Sequence, residues 1–256
     1  MNRVEYRIGK NDVLLEGFLH QSQEDLSSLY DKRPAIIICP GGGYSRLSKR
    51  EQDPVSFAFF AAGYNVFVLH YSVGEEIRSS WPEKELAIAV STLREDCDRL
   101  CIKSIAVLGF SAGGHACASL ACHWKKYGDR SRPDAAVLCY PVITTGEYAH
   151  RMSADYVSMK NPDLLSYFDL PSQVSEDTVP CLIWHTAEDR SVPVENSLLL
   201  ASALSNAKVP FELHVYQEGE HGLSMGTNET GRYNKHVQSW FALALEWLSE
   251  RFSFVL

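Results

Sequence analysis

A chain of 256 residues, 45% hydrophobic and 22% charged, has the size and make-up of a soluble globular protein, which excludes disordered, collagen-like and coiled-coil classes. Its 24 basic residues stand against 32 acidic ones, a net charge of −8, and non-specific nucleic-acid binding needs the opposite balance. The N-terminal segment has no apolar core or small-residue cleavage site, and the most apolar long stretch, 55–71, is interrupted by Gly63, Asn65 and His70. A cytoplasmic protein with no membrane segment is therefore expected. The seven cysteines are an odd number and sit mostly in apolar runs, which points to reduced thiols. Cys97 and Cys101 are spaced like a metal pair, but no second Cys/His pair at ligand spacing follows, so both are read as residues on a helix face and no metal or other cofactor is expected.

The first elements form an antiparallel hairpin, Val4–Ile8 and Val13–Leu19, around the turn residues Gly9-Lys10-Asn11-Asp12. Residues 21–33 are polar and read as a loop. Ala35–Cys39 is apolar at every position, the pattern of a strand covered on both faces, and ends at Pro40 and three glycines. A helix over 53–62 closed by Gly63, a strand over 64–70 and an amphipathic helix from Pro82 to about Leu100 follow. A strand at 105–108 leads into an Ala- and Cys-rich helix over 112–127. The strand 135–140 is followed by residues 143–178, which lack clean periodicity and read as an excursion forming a small lid. A strand at 181–185, a helix at 194–207, a strand at 211–216 and an amphipathic helix at 233–251 complete the chain. This alternation predicts one α/β domain over 1–256, with a mainly parallel sheet covered by helices on both faces. Ligands of such sheets lie at the carboxyl ends of the strands, so the loops after those strands are where chemistry is sought.

The loop after Leu108 reads Gly109-Phe110-Ser111-Ala112-Gly113-Gly114, a G-x-S-x-G turn between a strand and a small-residue helix. Such a turn exposes the hydroxyl of Ser111 at the positive end of a helix, as a nucleophile requires. The base is His221, in the glycine-flanked loop after the strand 211–216, and the carboxylate that orients it is Asp189, in the loop after 181–185. Glu188 is the alternative carboxylate. His185 and His115 read as packing residues, and His70, at the end of its strand, is given no chemistry. Oxyanion donors are expected from the Ala112 amide and from Gly42 and Gly43 in Pro40-Gly41-Gly42-Gly43-Tyr44, with Tyr44 beside them as a substrate contact. A phosphate loop is the competing reading of these glycines, but neither phosphate-binding glycine pattern is present.

On these motifs the chain resembles esterases of the α/β-hydrolase fold, near the hormone-sensitive-lipase-like group and closer to bacterial acetyl-xylan-esterase-like and bifunctional feruloyl/acetyl-esterase-like proteins. The stretches that carry the likeness are Pro-Gly-Gly-Gly-Tyr at 40–44 with Glu51 following, Gly-Phe-Ser-Ala-Gly-Gly-His at 109–115 and Trp-His-Thr-Ala-Glu-Asp at 184–189, together with Val-Pro-Val-Glu-Asn-Ser at 192–197 and Gly-Glu-His-Gly-Leu at 219–223. The lipase-like group opens its glycine loop with His; Pro40 stands there in this chain, as in the closer subgroup. The resemblance implies a serine hydrolase of short acyl esters, with acetylated sugars or xylo-oligosaccharides as plausible substrates. A general short-chain carboxylesterase, an arylformamidase-like amidase and a small peptidase share the same residues, and a ligand receptor built on the fold is the non-enzymatic alternative. The expected partner is a small neutral ester, with which the acidic net charge agrees; a homodimer is an open possibility at the level of sequence.

Overall fold

In the computed structural model, residues 2–21 and 27–255 are described. Eight strands form one sheet in the order β1-β2-β4-β3-β5-β6-β7-β8: β1 (Asn2–Ile8), β2 (Val13–Leu19), β3 (Arg33–Cys39), β4 (Asn65–His70), β5 (Ile102–Phe110), β6 (Ala135–Cys139), β7 (Cys181–Thr186) and β8 (Phe211–Tyr216). Strands β1 and β2 pair antiparallel, and β2 pairs antiparallel with β4; from β4 to β8 every pairing is parallel. The hairpin turn works because Gly9 and Asp12 both adopt positive φ, which brings Ile8 opposite Val13. Of the predicted loop at 21–33, residues 22–26 fall outside the described residues; Ser28–Tyr30 form one 3-10 turn and Arg33 already belongs to β3.

Among the described residues there are seven α-helices: α1 (Asp53–Ala61), α2 (Pro82–Glu95), α3 (Ala112–His123), α4 (Arg151–Ser158), α5 (Pro162–Tyr167), α6 (Glu195–Asn206) and α7 (Ser239–Phe252). The unbroken apolar run of β3 splits by the period-two rule. Ile36 and Ile38 face α1 and α7, whereas Ala35, Ile37 and Cys39 face α2, α3 and α6. Each of the three isoleucines is fully buried, which contributes at most about 1.5–3 kcal/mol apiece. The opposite face of the sheet closes on an aromatic group in which Trp184 of β7 stacks on Trp240 of α7 at 5.4 Å. No helix among the described residues is long and apolar enough to cross a membrane.

Several boundaries differ from the sequence reading; α3, for one, ends at His123 and not at 127. Helix α2 stops at Glu95, because the chain turns back through Leu100 N–H to Asp96 O and Ile102 N–H to Cys97 O. Cys97 and Cys101 therefore lie in this turn, Cys101 at positive φ, and not on a helix face. Helix α7 begins at Ser239, not at 233, since Asn234 N–H and the Gln238 side chain both bond back to Gly226 O and hold residues 226–238 as a loop. Within 143–178 the chain forms α4 and α5.

The strand order positions everything that follows. From β3 the chain passes to β4 on one side, then crosses back to β5 on the other, so the order in which strands are added reverses between β3 and β5. Cys39 lies opposite Gly109 across that pair, and the glycine loop and the serine turn leave the sheet side by side. Crevices form at such reversals because the two connections diverge to opposite faces.

Candidate active site

Ser111 is built into a forced turn. Its φ is +53° and ψ −116°, a conformation that costs a non-glycine residue on the order of 1–3 kcal/mol. The surroundings hold it there: Ser111 N–H donates to Cys139 O at 3.0 Å, while its carbonyl accepts from the His115 and Val142 amides. The flanking glycines leave no room for side chains. A Cβ on Gly109 would fall 2.2 Å from Gly113 O, and one on Gly113 would fall 2.0 Å from Cys39 O, so only hydrogen lets α3 start this close to β3 and β5.

The loops after β7 and β8 bring the other two side chains to the hydroxyl. His221 Nε2 lies 2.8 Å from Ser111 Oγ, and His221 Nδ1 lies 2.6 Å from Asp189 Oδ2. A carboxylate can only accept, so Nδ1 carries the proton and Nε2 presents its lone pair to the serine hydroxyl. Asp189 is buried, and its Oδ1 accepts from the Ser191 and Val192 amides, both at 2.9 Å. Burial alone would raise its carboxyl, but hydrogen bonds from His185, His221 and Val192 outweigh it and hold the group well below the usual carboxylate range. His185 is wholly buried behind this aspartate, 3.3 Å from Oδ2, and is tied to Ser197 Oγ and Val192 O. Glu188, the alternative carboxylate, is exposed, and it is Asp189 that bonds His221 Nδ1.

Across the cleft, the amides of Gly42 and Gly43 donate to no acceptor among the described residues, and Ala112 N–H, in the first turn of α3, has no intrahelical partner. Gly42, Gly43, Ser111 and His221 line one cleft of ≈ 200 Å³. The glycine loop is held from behind. Glu51 Oε2 accepts the Gly41 amide at 2.7 Å, and Glu51 Oε1 accepts the Tyr140 hydroxyl at 2.7 Å. That hydroxyl in turn accepts the Ser224 amide, three residues beyond His221. One buried carboxylate thus braces both the glycine loop and the histidine loop. Burial pushes the Glu51 carboxyl above its ordinary value despite the bonds from Tyr140 and Gly41.

Tyr44 does not contact the cleft. Its φ of +62° turns the side chain inward, where it is 1% exposed and its hydroxyl meets His115 Nδ1 at 2.8 Å. The expectation that Tyr44 touches substrate is therefore corrected: the residue packs beneath the loop. His115 is enclosed with it, Nε2 reaching Phe168 O at 3.1 Å, and His70 pairs with Glu16 at 3.6 Å. Of the aromatic residues in 143–178, Phe168 is buried against His115, and Tyr167 bonds to Glu83. The segment reaches the cleft instead through His150 and Met152. Burial, and next the nearby His221, lower the pKa of His150, so it enters the site as a neutral ring. Arg46, Arg50 and Arg232 also line the cleft. Nothing in the local sequence around these arginines distinguishes them from surface residues.

A strained serine between β5 and α3, with Asp189 and His221 on the loops after β7 and β8, is the arrangement of the α/β-hydrolase fold. The chain belongs to the prolyl oligopeptidase family, whose model matches residues 53–247. It is 39% identical over 213 residues to an endo-1,4-beta-xylanase B of Butyrivibrio fibrisolvens, covering 77% of this chain and 34% of that protein. It is 31% identical over 203 residues to an acetylxylan esterase of Xylanibacter ruminicola, covering 75% of this chain and 42% of that protein. The chain thus spans less than half the length of either curated relative. Among solved structures, it superposes on the acetyl ester-xyloside bifunctional hydrolase of Caldicellulosiruptor lactoaceticus with a TM-score of 0.83 and 35% identity, over 96% of this chain and 90% of that one. These matches put the chain in the α/β-hydrolase superfamily, with a sequence similar to that of an acetylxylan esterase.

Proposed function

We propose that the protein is a serine ester hydrolase that removes short acyl groups, acetyl above all, from small O-acylated sugars. The observation that carries this reading is the continuous relay from Ser111 Oγ through His221 to Asp189. His221 Nε2 takes the hydroxyl proton as Oγ bonds to the acyl carbon. The amides of Gly42, Gly43 and Ala112 receive the carbonyl oxygen as it gains negative charge. The carbon–oxygen bond to the alcohol then breaks, and His221 returns the proton to the departing oxygen. Water repeats the sequence on the acyl-serine, releasing the acid and restoring the hydroxyl. Asp189 holds the imidazole in the tautomer that can accept the proton.

Two further observations favour a short acyl group. The part of the site beside Ser111 and Gly43, ≈ 200 Å³, is smaller than the roughly 300–1,000 Å³ typical of sites for drug-sized ligands, while a hollow of ≈ 510 Å³ adjoins it beyond His221. The methyl of Met152 also lies over Gly43, 2.3 Å from where a Cβ would stand. The sugar part of the reading is supported by the printed activities of the acetylxylan esterase and the acetyl ester-xyloside hydrolase. The name of the matching family favours a second reading, a small peptidase. Acetylated xylosides, p-nitrophenyl acetate, formyl-kynurenine and peptide amides, assayed side by side, separate these. Ser111→Ala is expected to abolish p-nitrophenyl acetate hydrolysis with an unchanged circular dichroism spectrum. Full residual activity in that variant would overturn the mechanism.

A further inference from the structure

The charge of the cleft opposes that of the molecule. The whole chain carries −8, yet Arg46, Arg50 and Arg232 line the cleft around Ser111 and His221. Arg232 is matched by Glu220 in a close ion pair. Neither Arg46 nor Arg50 has a carboxylate partner among the described residues; Arg50 Nη1 only reaches the Gly222 carbonyl, at 3.3 Å. Among the described residues, Glu51 is the one acidic residue lining this cleft, and both its oxygens are committed to the Gly41 amide and the Tyr140 hydroxyl. Arg46 and Arg50 thus stand at the mouth without a direct ion-pair partner among the described residues.

Their placement assigns them to opposite sides of the reacting bond. Arg46 belongs to the turn closed by its own amide on Gly42 O, and its Cγ lies 3.2 Å from where a Cβ on Gly42 would stand. It is therefore attached to the loop that offers amides to the acyl oxygen. Arg50 is bonded to Gly222, the residue after His221. His221 must deliver its proton to the leaving oxygen, so the alcohol portion of the ester lies on the side of Arg50.

We infer that the cleft selects esters whose alcohol portion carries a carboxylate, such as an O-acetylated uronic acid, held across the mouth by Arg50 and Arg46. This rests on the ester-hydrolase reading and narrows its substrate class. A guanidinium pairs with a carboxylate through two parallel hydrogen bonds, which gives orientation as well as attraction. A cleft lined by one sign of charge raises the local concentration of the opposite ion even when the molecule as a whole repels it.

The test compares kcat/KM for 4-acetoxybenzoate and its neutral analogue 4-acetoxybenzamide, each normalised to its hydroxide-catalysed rate. The wild-type protein is expected to favour the anion on the order of tenfold. Arg50→Ala and Arg46→Ala should each cut that ratio, the double variant should bring it near one, and Arg50→Glu should invert it. The charge-retaining Arg50→Lys, which loses the paired geometry but not the charge, should keep an intermediate ratio. A wild-type ratio at or below one, with the amide analogue hydrolysed, overturns the inference and leaves the esterase reading standing. Failure to hydrolyse either compound, or any ester of the wider panel, counts against the esterase reading itself. Preference for 4-acetoxyphenyl phosphate over the carboxylate would overturn the choice of anion.

Discussion

Asp189→Asn isolates the part of the relay that orients the base. The side chain is nearly isosteric, so the perturbation is the exchange of one acceptor oxygen for a donor. The structure dictates which oxygen is exchanged. Oδ1 faces two backbone N–H groups, from Ser191 and Val192, that both need an acceptor, so the amide oxygen must stay there. The new NH2 is thereby forced toward His221 Nδ1, at the position where Oδ2 now lies 2.6 Å away. Nδ1 must then accept, its proton moves to Nε2, and Nε2–H points at Ser111 Oγ across 2.8 Å with no lone pair to receive the hydroxyl proton. His185 Nε2 is also left facing an NH2 group at 3.3 Å. Loss of the correct tautomer in a Ser-His-Asp relay costs roughly 10⁴ in kcat, or about 5 kcal/mol of barrier. Stopped-flow hydrolysis of p-nitrophenyl acetate at neutral pH measures it: the acylation burst should slow by about that factor while KM changes little. Acylation within tenfold of wild type in a folded variant would refute this assignment of Asp189.

Other outcomes test the braces around the site. Glu51→Gln cannot accept from both the Gly41 amide and the Tyr140 hydroxyl as the carboxylate does, so the glycine loop should shift; kcat is expected to fall about 10- to 100-fold at nearly constant KM. A kcat within twofold of wild type would show that the loop holds itself. The buried His115 is neutral in the folded protein, because burial lowers its pKa to about 4 from the ordinary value near 6.5. Between those two values the unfolded chain binds the extra proton, so stability is intact above about pH 6.5 and declines as pH falls toward 4, by on the order of 3 kcal/mol from this group. Urea unfolding from pH 7 to 4 should show that decline, and His115→Gln should flatten it. An identical slope in the variant would assign the acid sensitivity elsewhere.

Much of the site is legible in the linear sequence because its requirements are local. A turn that must place α3 against β3 admits only glycine at 109 and 113, and that steric demand writes itself as G-x-S-x-G. Asp189 and His221 are legible because parallel strands end at the same edge, so residues just after β7 and β8 meet wherever the sheet forms. The fully apolar run of β3 announces a strand covered on both faces for the same reason. What depends on a dihedral or on distant packing is not written there. Tyr44 follows three glycines and looks available to substrate, but a positive φ at one residue sends its ring into the core. The loop before α7 has helical periodicity and is held out of a helix by bonds to Gly226.

Charge draws the same boundary. Composition determines the net value of −8, and with it the poor fit to nucleic acid, because a sum does not depend on position. An electrostatic potential does depend on position, falling with distance and with intervening water. Only the folding of the 42–46 turn against Ser111, and the bond from Arg50 to the loop of His221, bring two arginines without ion-pair partners among the described residues to the cleft of an acidic molecule. The sequence alone therefore determined a mainly parallel sheet with an N-terminal hairpin, the serine turn and the three residues that the hydrogen bonds join. The brace through Glu51, the inward Tyr44 and the sign of the cleft were decided by tertiary contacts, since each joins residues that are close only after the chain has folded.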